Sequence, residues 1–244
     1  MKQAAQRIHF REFLKGEDIA FSDLNAGVLD RFVVYLKSVH KPKRGKATRI
    51  SERTIANHLV TIRSVFAHAR KNGVVTKLQS PFADGGIQIK FPDTVKVGLT
   101  LDEIHALETV ELQDADQNHA RNLWLISFYF AGMRVSDVLR MRWSDIQNNR
   151  LHYSMGKNNK VGSLKVTEQA EAILNQYKQF KERNDSLIFP DLAGCDFSDQ
   201  FKTQRTIAFK TSALDKILRT YVAPAAKIEK KLTMHIARHS FAQN

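Results

Sequence analysis

The sequence predicts a mainly α protein in two parts: a small, basic helical domain, then a larger, mostly helical domain with one small β-sheet. Three observations carry that expectation. Apolar residues recur at three- and four-residue spacing through most of the chain, as amphipathic helices require. Strand-type runs flank a single turn at residues 156–160. The stretch Ser80-Pro81-Phe82-Ala83-Asp84-Gly85-Gly86 breaks any helix, and positive charge is concentrated before it.

In chain order, a short helix spans about Ile8 to Leu14, with a pattern that begins almost at Met1. Leu24, Val28, Phe32, Leu36 and Val39 form the stripe of a second, with Arg31 and Lys37 off it. Lys41-Pro42-Lys43-Arg44-Gly45-Lys46 reads as a basic, exposed and mobile loop. A third helix takes Ser51 as N-cap, Ile55, Leu59, Ile62 and Phe66 as its buried line, and Gly73 as its stop. Residues 87–98 look extended, which divides the chain into a domain at 1–86, a linker at 87–98 and a domain at 99–244. Thr100-Leu101-Asp102-Glu103 is a capping box. Asn118 to Ala131 reads as a strongly apolar, buried helix capped by Gly132. Leu151 to Met155 and Val161 to Val166 are two strands around a turn, and Glu168 to Arg183 and Phe201 to Tyr221 are helical again.

Composition narrows the function classes. At 244 residues, 43% of them hydrophobic, the chain can bury one large or two modest cores. The longest apolar run, Leu123 to Met133, is too short to span a bilayer, and no signal peptide opens the sequence, so a membrane role is not expected. The single Cys195 fits a reducing cytosol and a cytoplasmic protein. The formal charge is +13 and uneven. Residues 1–98 hold 18 Lys and Arg against 8 Asp and Glu, and residues 200–244 hold 9 against 2, while 99–199 is net negative. Basic excess at two places predicts a polyanion gripped from two sides, with nucleic acid as the expected partner.

Two motifs hold arginines about a hundred residues apart: Ala131-Gly132-Met133-Arg134-Val135-Ser136-Asp137 and His235-Ile236-Ala237-Arg238-His239-Ser240. Between them lies Met155-Gly156-Lys157-Asn158-Asn159-Lys160. A metal-free site that handles a phosphodiester needs these side chains. Two guanidiniums can fork onto the non-bridging oxygens, a lysine can protonate the leaving oxygen, and an imidazole can hydrogen-bond the phosphate. Singly, each motif is weak: Gly-x-Arg is common, and a lysine in a polar turn is ordinarily solvated. Ser136 is a candidate cap for the helix after Arg134, and Asp137 can hold Arg134 or cap that helix. His235 and His239 share a helix face as in zinc hydrolases, but Ile236 stands where that motif needs a glutamate base. No metal and no cofactor is expected.

Together, in this order and spacing, the motifs resemble those of the tyrosine recombinase (phage integrase) family. The resemblance implies that Arg134, Lys157, His235 and Arg238 are catalytic, with Asp137 and His239 supporting them; Lys160 is the competitor for the role of Lys157. It extends to Ser51-x-x-Thr54-Ile55-x-x-x-Leu59-x-x-Ile62-Arg63, similar to the DNA-facing helix of that family's SAM-like core-binding domain, and to Leu99-Thr100-Leu101-Asp102-Glu103-Ile104, similar to the opening of its catalytic domain. Lys43, Arg44, Lys46, Arg49, Arg53, Thr54 and Arg63 are accordingly candidate DNA contacts. The family implies a DNA breaking-rejoining fold and site-specific recombination, with cleavage by a tyrosine, a 3′-phosphotyrosyl intermediate and a tetramer on DNA.

The nucleophile is expected two short helices beyond the histidine–arginine motif, yet Tyr35, Tyr129, Tyr153, Tyr177 and Tyr221 all precede His235. Residues 1–244 are therefore expected to bind double-stranded DNA without cleaving it. A second reading, from a different class, is a DNA-binding accessory or regulator that kept the clamp and lost catalysis.

Overall fold

The computed structural model describes residues 2–43, 46–83, 85–93, 97–154 and 161–244, with backbone only for 2–7, 40–43 and 46–48. It divides into two compact units, residues 1–94 and 95–244. Among the described residues, no helix is long and apolar enough to cross a membrane.

The first unit contains helices α1 (Lys2–Phe13), α2 (Ala26–Ser38) and α3 (Glu52–Lys71), with strands β1 (His40–Lys43) and β2 (Lys46–Arg49) between the last two. Asn25 caps α2 by accepting the Val28 N–H, and Ser51 caps α3 by accepting the Thr54 N–H. Gly73, with φ of 71°, lets the chain turn away just past α3. The predicted stripes are the core: Leu24, Val28, Leu29, Leu59 and Phe66 cluster together, and Phe32, Leu36 and Ile55 pack beside them. Residues 41–43 and 46 correct the expectation of a loop. His40 pairs with Arg49, Lys41 with Thr48 and Lys43 with Lys46 in an antiparallel ribbon. Lysine and proline are depleted in strands and gave no alternation to read. Pro42 pairs with Ala47 in this ribbon, which consists only of the edge strands that tolerate proline. Arg44 lies outside the described residues. Ile87 and Ile89, in the segment expected to be a linker, pack onto the core of the first unit.

The second unit begins with α4 (Leu101–Thr109) and α5 (Ala115–Tyr129), followed by the single turn α6 (Val135–Val138). A three-stranded antiparallel sheet follows, in the order β3 (Ile146–Gln147), β4 (Arg150–Ser154), β5 (Val161–Lys165). The chain then forms α7 (Glu168–Tyr177), α8 (Gln200–Ile217), α9 (Ala223–Ala225) and α10 (Met234–Gln243). The third strand was not expected. Its signal was Asn148-Asn149, which both take positive φ (49° and 56°) and so make the tight turn of a second hairpin. Between α8 and α9 the helix widens into one π-helical turn, Leu218–Val222, just before Pro224, which lacks an N–H to donate. The core runs along α5: Leu123, Trp124 and Ile126 are fully buried, against Leu107, Leu139, Leu218, Leu232 and Ala237. Helix α5 starts three residues earlier than expected, because Asp114 caps it by accepting the Gln117 N–H.

The capping box at Thr100 is present: its hydroxyl accepts the Glu103 N–H, and the Glu103 carboxylate accepts the Thr100 N–H at 2.7 Å. Lys230 adds an ion pair to Glu103 at 2.6 Å. Partial burial disfavours ionisation of Glu103, but the Lys230 ammonium and the Thr100 N–H outweigh it, so its pKa falls below the ordinary value. A depressed carboxylate stabilises the fold above the unfolded pKa and loses that contribution as pH falls through the folded one. Glu103→Gln is therefore expected to lower the unfolding free energy of the second unit by about 1 kcal/mol at pH 7. In urea titrations repeated at decreasing pH, the gap between the two proteins should close in acid; a gap independent of pH would refute the ion pair's contribution.

Candidate active site

Helix α5 ends at Phe130, and the next two residues, Ala131 and Gly132, both take positive φ, 55° and 66°. Buried Ser127 fixes this turn in both directions. Its carbonyl accepts the Met133 N–H at 2.9 Å and its hydroxyl donates to the Met133 carbonyl at 2.6 Å. Arg134 follows at the N-cap position of α6, where its carbonyl accepts the N–H groups of Asp137 and Val138. This corrects the expectation for Ser136, which lies inside α6 and caps nothing. Arg134 is half-buried, and among the described residues its guanidinium has no hydrogen-bond or ion-pair partner. Asp137 is half-buried, accepts the Ser136 hydroxyl at 3.4 Å, and forms no ion pair with Arg134. It lines a cavity of about 360 Å³ between α6 and the sheet, together with Arg140, Met141, His152 and Tyr153.

Helix α10 carries the second motif on one face and packs with the other. Met234, Ala237 and Ser240, three residues apart, are buried. His235 is exposed, while Arg238 and His239 are half-buried. The His235 and His239 rings meet edge to face at 4.6 Å. Groups far away in sequence hold the helix at both ends. The Asp215 carboxylate accepts the Met234 N–H at 2.8 Å, one residue before His235. The Trp124 indole donates to the Thr233 carbonyl at 3.1 Å. At the other end Ser240 accepts the Leu99 N–H at 2.8 Å, and Gln243 accepts the Gly98 N–H at 3.0 Å. Gly98 is required there, because a Cβ would lie 2.8 Å from Ser240 Cα.

The two arginine motifs meet directly. Arg238 Nη1 donates to the Gly132 carbonyl at 3.0 Å, and a Cβ on Gly132 would lie 3.0 Å from Arg238 Cα. Arg134 and Arg238 are thus fixed to one turn of backbone although 104 positions separate them in sequence. Arg238 keeps guanidinium hydrogens beyond that one bond, and Arg134 keeps all of its own among the described residues. Lys157 and Lys160 lie outside the described residues; the neighbouring Ser154 and Val161 form the last pair of the β4–β5 ladder. Among the described residues no group of three His, Cys, Asp or Glu side chains comes together that can hold a metal ion.

The candidate DNA contacts fall in the first unit. Arg49 and Arg63 are exposed. Arg53 is exposed too, with its guanidinium 5.6 Å from the Phe91 ring centre. Thr54 is engaged at the start of α3, its hydroxyl 2.8 Å from that of Ser51. Lys43 and Lys46 sit in β1 and β2, and their side chains, like Arg44, lie outside the described residues. The sequence motifs did not reveal Ser127, Trp124, Asp215 or Ser240. Trp124, Asp215 and Ser240 act through hydrogen bonds to backbone far away in sequence, and Ser127 through bonds to Met133, none of which leaves a sequence motif.

A basic helical unit followed by a larger helical unit with a small sheet, in which Arg238 of α10 bonds the turn before Arg134, is the DNA breaking-rejoining fold. Residues 99–244 match the phage integrase family and residues 2–86 the phage integrase SAM-like domain. The chain belongs to the phage integrase family of tyrosine recombinases. It is 27% identical over 199 residues to tyrosine recombinase XerC of Xanthomonas axonopodis pv. citri (strain 306), covering 80% of this chain and 59% of that protein. It is 22% identical over 261 residues to tyrosine recombinase XerD of Rickettsia prowazekii (strain Madrid E), covering 97% and 74%. The chain thus spans between about three fifths and three quarters of the length of these relatives. The fold is similar to that of the Tn1549 transposon integrase in complex with transposon right end DNA (14% identity, 99% of this chain and 79% of that one, TM-score 0.63). It is also similar to a lambda integrase tetramer bound to a Holliday junction (15% identity, 98% and 64%, TM-score 0.59).

Gly132→Ala is expected to cost the second unit about 1–3 kcal/mol, since it combines a left-handed backbone with a clash on the Arg238 backbone. Urea unfolding measures it. An unchanged midpoint would show that α10 can move away from the turn without penalty.

Proposed function

We propose that this protein acts in site-specific DNA recombination or integration, with the two units forming a clamp on duplex DNA. Residues 1–86 grip the backbone through the basic face that includes Lys43, Arg44, Lys46, Arg49, Arg53, Thr54 and Arg63, joined by 87–98 to the catalytic part at 99–244. Arg134 and Arg238 bind the non-bridging oxygens of the scissile phosphate and stabilise the charge that grows there. Lys157 protonates the leaving 5′-oxygen, His235 hydrogen-bonds the phosphate, and Asp137 and His239 support them. The chemistry needs no cofactor. The protein works in the cytoplasm and assembles as a tetramer on DNA, like the lambda integrase on its junction.

The observation that carries this reading is the contact between Arg238 and the turn that presents Arg134. It commits only part of one guanidinium and leaves the other uncommitted among the described residues, an arrangement that gains stability when an anion arrives. The cleaving nucleophile is a tyrosine, and residues 239–244 contain none.

Residues 1–244 should therefore bind duplex DNA yet yield no covalent adduct with a suicide substrate that traps phosphotyrosyl protein. The same residues extended by the C-terminal part of a curated relative should yield one. In that extended protein Arg134→Ala and Arg238→Ala should each slow cleavage by about 10²–10³. An adduct with residues 1–244 alone would assign the attack to an earlier tyrosine and overturn the proposed roles. Normal DNA binding without any adduct from the extended protein would favour the accessory or regulatory role.

A leaving thiolate needs no proton, so a substrate with sulfur at the 5′-bridging position separates the lysine from the arginines. Lys157→Ala should recover cleavage on it, and neither arginine variant should. Recovery by Lys160→Ala instead would move the general acid by three residues.

A further inference from the structure

The first unit contains a cavity of about 290 Å³ between the C-terminal half of α3 and the turn that follows. Arg63, Arg70 and Lys77 line it, with Ser80 beside them and Phe66 beneath. Arg63 and Arg70 are seven residues apart, so they project from one face of α3, about 10 Å apart along its axis. Among the described residues no carboxylate lines the cavity, and neither arginine has a hydrogen-bond or ion-pair partner. Arginine stays charged at any working pH, so two guanidiniums facing one concavity repel each other until an anion enters.

The hydroxyls around the rim differ. Thr76 is committed, its hydroxyl and N–H both donating to Gln79 Oε1, which braces the turn. Ser80 Oγ accepts the Phe82 N–H at 3.4 Å, which leaves the hydroxyl hydrogen available to an anion. Guanidiniums that fork, an ammonium and a hydroxyl donor around a concave space suit a tetrahedral oxyanion. Arg70 also lies 17 residues beyond Arg53 on α3, about 25 Å along the helix, so the cavity shares Arg63 with the basic face assigned to DNA and extends that face toward the end of α3.

We infer that this cavity binds a phosphate group, supplied by the DNA backbone or by a free phosphate ion. Only the first source rests on the DNA-binding reading above. Arg63 and Arg70 fork onto the phosphate oxygens, Lys77 adds charge, and Ser80 donates a hydrogen bond.

The test uses the 1–244 chain, titrated with inorganic phosphate at constant ionic strength while backbone amide shifts are followed, and separately with duplex DNA at several salt concentrations. Phosphate should shift the signals of residues 63–83 in the wild type and not in the Arg63→Gln/Arg70→Gln variant; Arg70→Lys, which keeps the charge, should retain most of the response. If the backbone is the source, Arg70→Gln should also weaken duplex binding about 3- to 10-fold and reduce the slope of log K against log salt by about 1. If free phosphate is the source, duplex affinity and slope should stay as in the wild type while the phosphate response is lost. The inference is overturned when phosphate leaves the cavity signals unmoved and Arg70→Gln binds duplex with wild-type affinity and slope. A wild-type chain that responds to phosphate but does not bind duplex would sink the proposed function and leave this site standing.

Discussion

The hydrogen bond from Arg238 to the carbonyl of Gly132 is the contact around which the second unit is arranged. It requires α10 to approach α5 at the one place where the backbone has no Cβ, and it requires the chain beyond α5 to turn through left-handed conformations. Ser127 fixes that turn from within the buried helix, and Trp124, one turn earlier, holds the residue before α10. The apolar seam of Leu123, Ile126, Met234 and Ala237 supplies the driving force, and the polar contacts set the register. The turn at Ala131 and Gly132 presents Arg134, and the seam brings Arg238 to that turn.

That arrangement has an electrostatic side. A guanidinium has five N–H donors, and donation to one carbonyl leaves Arg238 with capacity toward solvent. Arg134 keeps all of its own among the described residues. Several carboxylates of the second unit have structural partners: Asp215 on the start of α10, Glu103 on Lys230 and Asp145 on the Arg142 N–H. In the first unit Glu52 faces Lys37, while Arg63 and Arg70 have no acid partner among the described residues.

Most helices were legible in the sequence because burial imposes a period. Leu24, Val28, Phe32 and Leu36 are inside because α2 has a single inward face, and Ser51, Gly73 and Thr100 mark ends by satisfying or releasing backbone groups. What was not legible lacked such a period. Strands β1 and β2 carry no apolar alternation in sequence, and β3 is only two residues long. Arg134, Asp137, His235, Arg238 and His239 were visible as motifs, but the reason that two of those motifs come together was not. It lies in Gly132, which reads locally as a helix end, and in Ser127, which sits inside the apolar run Leu123 to Met133.

The bond from Leu99 to Ser240 joins residues 141 positions apart and has a consequence for how this chain is made. Residues at the start of the second unit obtain their partners from residues close to the end of the described chain. As synthesis proceeds from the N-terminus, the first unit can fold as it emerges. The α5 seam stays open until α10 has left the ribosome, with its tryptophan and leucines uncovered. Closing so long a loop costs entropy that only the completed contact repays, so the second unit assembles late and all at once. The helix that brings Arg238 to Arg134 is also the one that ends this exposure, and a chain shortened before α10 loses both together.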